Sequence, residues 1–192
     1  WNMFLYSGMA ALVAVYLWTL MEPRRAGGSR AAGIAAFAWR IILTSGTGSI
    51  FAFLVARQAF GTAVLIPLFL AMSLAWGLAV FLVAQSALYR WHGLTLPAQI
   101  RHRMQNLLAL FVVAVLFFVL IYHLTNGYFA KQAAFERFIL RDGGVYPQLF
   151  WWGYVVAGSL VPLFLFWRPP SATGRGAVVA PWLVIGGAFA LL

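Results

Sequence analysis

The sequence predicts an all-α protein, a polytopic bundle of transmembrane helices, and three observations make that prediction. Of 192 residues, 64% are hydrophobic and only 8% charged, where a soluble domain carries about 25% charged residues. Five or six runs of roughly 18–25 mostly apolar residues follow one another, each long enough to cross a hydrocarbon layer ~30 Å thick. The runs are continuous, not the short alternating segments of a transmembrane barrel. In lipid a continuous run must satisfy its backbone polar groups internally, which an α-helix does.

Read in order as one integral membrane domain, residues 1–192, the spans fall at about 3–21, 32–56, 63–88, 105–125, 147–167 and 178–192. "EPRRAGGSR" (22–30) closes the first. The second contains "WRIILTSGTGSIF", with Arg40 inside an apolar run, followed by Thr44, Ser45, Thr47 and Ser49. A buried Arg costs at least ~2.5–3.5 kcal/mol on insertion scales, so it faces a partner or a wet cavity or snorkels to the interface. Arg40 and Thr44 share a face, and Gly46 and Gly48 let another helix come close. In the third span Pro67 lies near the start, Ser73 and Gly77 have small-xxx-small spacing, and Gln85 can hydrogen-bond between helices. "RWHGLTLPAQIRHR" (90–103) leads to the fourth span, and Pro147 suits the first turn of the fifth. "RPPSATGRG" (168–176) precedes the sixth, which looks truncated. The chain opens on Trp1 and stops in an apolar run, so it reads as a piece of a longer protein. Trp1, Trp39, Trp91, Trp151, Trp152 and Trp167 fall near span ends, as an interfacial belt places them.

Charge gives orientation. The first, third and fifth connections hold Arg24, Arg25, Arg30, Arg90, Arg101, Arg103, Arg168 and Arg175; the second and fourth hold Arg57, Lys131, Arg137 and Arg141. Eight basic residues against four make the first set cytoplasmic by the positive-inside rule. Residues 126–146 are then expected outside, facing the periplasm of a bacterial inner membrane. The net charge of +10 reads as topology plus attraction to anionic lipid, not as a nucleic-acid surface. The absence of cysteine excludes iron–sulfur ligation and c-type haem attachment by this chain. His92 and His102 fall in a basic loop and His123 near a helix end, so paired axial ligands for haem b are not expected. Neither is a zinc cluster.

One stretch concentrates the scarce ionisable groups. "IYHLTNGYFAKQAAFERFILRDGGVYPQLFWWG" (121–153) holds two of the three acidic residues, Glu136 and Asp142, and one of the three histidines, His123. Tyr122 and Asn126 share a helix face, with His123 adjacent. Phe135, Phe138 and Ile139 form a short apolar stripe that suits a helix lying on the membrane surface, ended by Gly143 and Gly144. The structural reading is an interfacial helix anchored by aromatics. The functional reading is the wall of a site for a quinone, whose carbonyls need hydrogen-bond donors and whose redox change moves two protons that His and Glu can relay. Arg57 and Gln58, at the same end, could contribute to it.

Three stretches carry a family likeness: "GSIFAFLVARQAFGTAVLIPLFLAMSLAWGLA" (48–79), "YHLTNGYF…ERFILRDGGVY" (122–146) and "FWWGYVVAGSLVPLFL" (150–165). Together they resemble the NrfD-like family, the polysulfide reductase membrane-subunit type. The resemblance implies a helical membrane subunit without a prosthetic group of its own. It implies a periplasmic iron–sulfur partner, often with a molybdopterin catalytic subunit, and electron exchange with menaquinol or ubiquinol near the outer face. Some relatives resemble His-Ser-x-x-Gly-Ser-x-Phe where this chain has Thr44, Ser45, Gly48, Ser49 and Phe51, so that histidine is missing. The family also has eight or more spans.

On this reading His123, Tyr122 and Asn126 are hydrogen-bonding or proton-transfer groups, Arg57 lines the outer mouth and Thr44 makes a further contact. Glu136, Arg141 and Arg40 serve a proton path or partner docking. Two other functions stay open at this point: a transporter or channel subunit using Arg40 and the Thr/Ser/Gly run, and a purely structural anchor.

Overall fold

The computed structural model describes residues 2–22, 26–54, 61–94, 97–167 and 176–191. Every regular element among them is helical: α1 (Asn2–Met21), α2 (Ala26–Ala52), α3 (Leu65–Trp91), α4 (Ala98–Tyr128), α5 (Ala130–Arg137), α6 (Val145–Gln148), α7 (Val161–Trp167) and α8 (Gly176–Leu191). A π-helical turn, Phe138–Asp142, follows α5, and a π-helical stretch, Leu149–Leu160, joins α6 to α7. Residues 145–167 therefore run as one helix. Five helices are long and apolar enough to span a membrane: 3–21, 27–52, 65–91, 98–128 and 145–167. The sixth expected span is a 16-residue helix, α8. The second and fourth helices begin earlier than their apolar runs, at Ala26 and Ala98. Their polar leaders, such as "AQIRHRMQN" before the fourth run, contain good helix formers and continue the hydrogen-bonding beyond the oily segment.

The chain divides into two compact units, residues 1–70 and 71–192. In the first, α1 and α2 form an antiparallel hairpin, which the paired positions show: Gly46 meets Leu5, Gly8 lies beneath the Trp39 ring, and Gly33 lies beneath Tyr16. The Trp39 indole N–H donates to the Leu5 carbonyl at 2.9 Å. Gly48 admits the start of α3, its Cα facing Ile66 and Phe69, and Phe51 stacks on Phe69 with ring centroids 5.3 Å apart. Close approach at Gly46 and Gly48 is thus what the sequence predicts. The hydroxyls of Thr44, Thr47 and Ser49 donate back to the carbonyls of Arg40, Leu43 and Gly46 on the same helix. Such back-bonding lets a hydroxyl sit in an apolar run without an external partner.

In the second unit, Ala79 and Leu82 of α3 pack with Leu108 and Val112 of α4 and Val184 of α8. The turn between α3 and α4 is set locally. Gly93 adopts φ +67°, its N–H bonds to the Arg90 carbonyl, and the Leu94 N–H reaches the Tyr89 carbonyl at 2.9 Å. That pair of bonds closes a helix through a left-handed glycine. Pro97 then precedes α4.

The π-helical stretch ends beside Pro162, which has no amide hydrogen and whose ring crowds the carbonyl four residues back. The Val161 N–H bonds to the Val156 carbonyl, five residues earlier, and this wider turn relieves that crowding. The same stretch carries the tightest helix crossing. A Cβ on Gly158 would lie 2.5 Å from the Gly187 Cα, one on Gly187 would lie 2.3 Å from the Gly158 Cα, and one on Gly153 would meet the Ala190 Cβ at 2.8 Å. Backbones this close gain van der Waals contact that lipid cannot replace.

Adjacent glycines on α8 give a test. Gly186 has nothing within 4 Å of an added Cβ, whereas Gly187 abuts backbone. Gly187→Ala is expected to lower stability by about 1–3 kcal/mol through overpacking. Gly186→Ala is expected to leave it unchanged or raise it by up to about 1 kcal/mol through helix propensity. Thermal denaturation of the two variants in one detergent checks the difference, and equal midpoints would contradict the crossing.

Candidate functional site at the end of α4

The site begins with a chain reversal. Phe129 has extended backbone, φ −83° and ψ 117°, and stands between α4 and α5. The amides of Gln132 and Ala133 bond to its carbonyl at 2.9 and 3.0 Å and start α5. Two turns of helix then carry Glu136 back over the last turns of α4. Glu136 points inward. Its side chain is 5% exposed.

Both carboxylate oxygens of Glu136 are held. His123 Nδ1 lies 2.6 Å from Oε2, and Asn126 Nδ2 donates to Oε1 at 2.9 Å. Asn126 is fully buried, and its Oδ1 has no hydrogen-bond partner among the described residues. Tyr122 lies within hydrogen-bonding reach of Asn126 and electrostatic reach of Glu136. Its ring meets the His123 imidazole edge-on, centroids 5.2 Å apart. Positions 122, 123 and 126 cover one end of the helix face, so a single carboxylate from α5 can engage the cluster.

The pairing has a chemical consequence. With Glu136 ionised, the imidazole keeps its hydrogen on Nδ1 and donates it to the carboxylate. Nε2 then carries a lone pair and, among the described residues, makes no hydrogen bond. The carboxylate fixes the orientation of the imidazole, as a positioning partner does for a histidine in acid–base catalysis. The His123 side chain is 13% exposed.

The second unit also supplies what the sequence reading missed. Phe150 is buried and packs edge-on against His123, centroids 4.8 Å apart. It also neighbours Tyr154 at 6.0 Å. The i, i+4 spacing of these two aromatics signals a shared face but does not say which histidine it meets. The Trp151 indole N–H donates to the Leu140 carbonyl at 3.2 Å, tying the entering helix to the π-helical turn after α5. Deeper in the bundle, the Tyr154 hydroxyl is buried without a hydrogen-bond partner among the described residues, beside a small cavity lined by Val112, Gly158 and Ser159.

Of the residues singled out from sequence, Tyr122, His123, Asn126 and Glu136 therefore come together. Arg141 stands exposed on the π-helical turn. Arg40 and Thr44 stand one turn apart on α2 in the first unit, with Arg40 exposed, Thr44 buried and the Thr44 hydroxyl bonded to the Arg40 carbonyl. Arg57 lies outside the described residues. Among the described residues no three His, Asp or Glu side chains are grouped as metal ligands.

Comparison with known proteins agrees with the architecture. The family model described as polysulphide reductase, NrfD matches residues 1–192. An Hdr-like menaquinol oxidoreductase integral membrane subunit of Archaeoglobus fulgidus is 25% identical over 173 residues, 89% of this chain and 43% of that protein. The chain thus spans less than half the length of that relative. No solved structure matches it. Residues 1–192 form a helical integral membrane protein that belongs to the NrfD polysulphide reductase family.

Proposed function

We propose that this chain is part of a quinone-interacting membrane anchor of a respiratory oxidoreductase complex, and that the quinone headgroup is handled at the His123 end of α4. The observation that carries the reading is the Glu136–His123 pair, which leaves Nε2 as an acceptor at the edge of an otherwise apolar bundle. A hydroquinone offers two hydroxyl donors, an apolar ring and a tail suited to lipid. Nε2 matches the first, and the rings of Tyr122 and Phe150 beside His123 match the second. The name of the archaeal relative makes menaquinol the leading candidate, with ubiquinol next.

In the oxidising direction, quinol loses two electrons and two protons and becomes quinone. The electrons would go to an iron–sulfur centre held by a partner subunit. Nε2 takes the first proton, and the imidazolium is held by the Glu136 carboxylate. It passes that proton to interfacial water through its exposed edge and then takes the second. Asn126 keeps the carboxylate from swinging away as the charge on His123 changes. Quinone reduction runs through the same groups in reverse. Tyr122 hydrogen-bonds the ligand or the proton path.

The excess of Lys and Arg in the first, third and fifth connections supports placing residues 126–146 on the outer side of the cytoplasmic membrane, the periplasm in a bacterium. Arg141, exposed beside this site, is then available to dock an iron–sulfur subunit, with a molybdopterin catalytic subunit beyond it. Arg40 and Thr44 are assigned to a separate proton path or substrate contact on α2.

His123→Ala is expected to lower quinol-dependent turnover of the assembled complex by about 10²-fold or more, the low end for loss of a general base. Subunit content and cluster spectra should not change. Unaltered quinol kinetics in the assembled variant removes His123 from the site. Glu136→Gln keeps a polar group beside Nδ1 but not its charge, and is expected to lower turnover by roughly 10–100-fold, as loss of an orienting partner does. If Glu136→Gln matches the unmodified protein while His123→Ala is inactive, the carboxylate has no part in proton transfer.

A further inference from the structure

The other end of α4 carries the opposite problem: cations with no anion. Arg90 ends α3 and is followed by Trp91 and His92, and Arg101, His102 and Arg103 stand in the first turns of α4. Ala79, Leu82, Leu108 and Val112 share one buried cluster, and the turn through Gly93 leaves the end of α3 and the start of α4 at the same end of the two helices. Arg101 precedes Leu108 by seven residues, two helical turns, so it lies on the same face of α4 as Leu108. Tyr89 follows Leu82 by the same interval, with Arg90 beside it. Each helix thus carries an arginine at this end.

No carboxylate of this unit answers them. Glu136 is held by His123 and Asn126, and both it and Asp142 lie beyond the opposite end of α4. Among the described residues Arg90, Arg101 and Arg103 make no ion pair. Depth is set by length. With 31 residues, α4 is about 46 Å long at 1.5 Å per residue, against a hydrocarbon layer ~30 Å thick. The unbroken apolar run, 107–121, starts four residues after Arg103. The arginines therefore sit at headgroup level, and Trp91, 88% exposed, marks the same interface.

We propose that the mouth between the end of α3 and the start of α4 binds the headgroup of an anionic phospholipid, with Arg90 and Arg101 on its phosphate and Arg103 at the rim. A guanidinium pairs with phosphate through two parallel N–H donors. The acyl chains then lie along the exposed apolar surface of the two helices, which includes Leu88 and Leu107. Basic pockets between helices recognise anionic headgroups in this way. The site is independent of the quinone reading, because it occupies the other end of the helix and does not depend on which side faces out.

The test is native mass spectrometry of the purified protein released from nanodiscs of phosphatidylcholine doped with phosphatidylglycerol or cardiolipin. The expected result is saturable retention of about one anionic lipid per chain in preference to phosphatidylcholine. Arg90→Gln/Arg101→Gln should weaken retention roughly thirtyfold, at about fivefold per cation near the surface. Arg137→Gln, at the other end of the unit, should leave it unchanged. Three results would overturn the proposal: equal retention of phosphatidylcholine, undiminished retention by the double variant, or loss with Arg137→Gln of the same size. Recovery of the arginine mouth covered by a protein subunit in the intact complex, with no lipid bound there, also overturns it.

Discussion

The Glu136 carboxylate is held by two side chains from one helix, and the end of the second unit beside it is arranged around that fact. A carboxylate withdrawn from water beside lipid loses several kcal/mol of solvation, so its oxygens need donors in good geometry. Here His123 and Asn126 supply them. Meeting both requires α5 to turn back at Phe129 and the fifth span to enter through Gly143 and Gly144. Gly144 has φ +64°, and an added Cβ on Gly143 would strike the Phe138 carbonyl. Phe150 then closes over the imidazole. Loop course, helix entry angle and aromatic cover all follow from where one negative charge can be accommodated.

Elsewhere in the molecule side-chain volume decides the packing. Lipid is as apolar as leucine, so burying leucine against leucine gains little in a membrane, and helices associate where their backbones can come close. Small residues do this in both units: Gly8, Gly46 and Gly48 in the first, Gly158 and Gly187 in the second. The π-helical stretch Leu149–Leu160 belongs to the same account. Pro162 widens the helix while Gly158 narrows its flank, so one segment carries both the closest crossing and the turn that bears Phe150 and Tyr154.

The two ends of α4 are chemically unlike. One gathers Tyr122, His123, Asn126 and Glu136 in a cluster whose charges are matched internally. The other gathers arginines that make no ion pair among the described residues. A single helix thus joins the proposed quinone site at one end to the proposed phospholipid site at the other, with fifteen apolar residues between them (107–121). Proton chemistry at the first does not require movement at the second, since the intervening contacts are ordinary apolar packing.

The fold class was legible in composition and run length, because a chain this apolar has few ways to satisfy its backbone in lipid. Helix existence was legible for the same reason. Helix starts were not, since "AQIRHRMQN" is polar by hydropathy yet helical by propensity. Tyr122, His123 and Asn126 were readable as neighbours because helical spacing is local. Glu136 was readable as a rare acid, but its inward direction was not: that depends on the reversal at Phe129 and on which α4 side chains lie opposite, a contact across ten to thirteen residues. The same holds for Phe150 on His123 and for Gly158 against Gly187, whose partners are fixed by how separate helices dock. The sequence by itself determined that this chain is a membrane bundle with its charged groups, Arg40 apart, at or beyond the helix ends. Only the tertiary structure decided which of those groups share a hydrogen bond, because that choice is made by packing between segments and not by the periodicity within one.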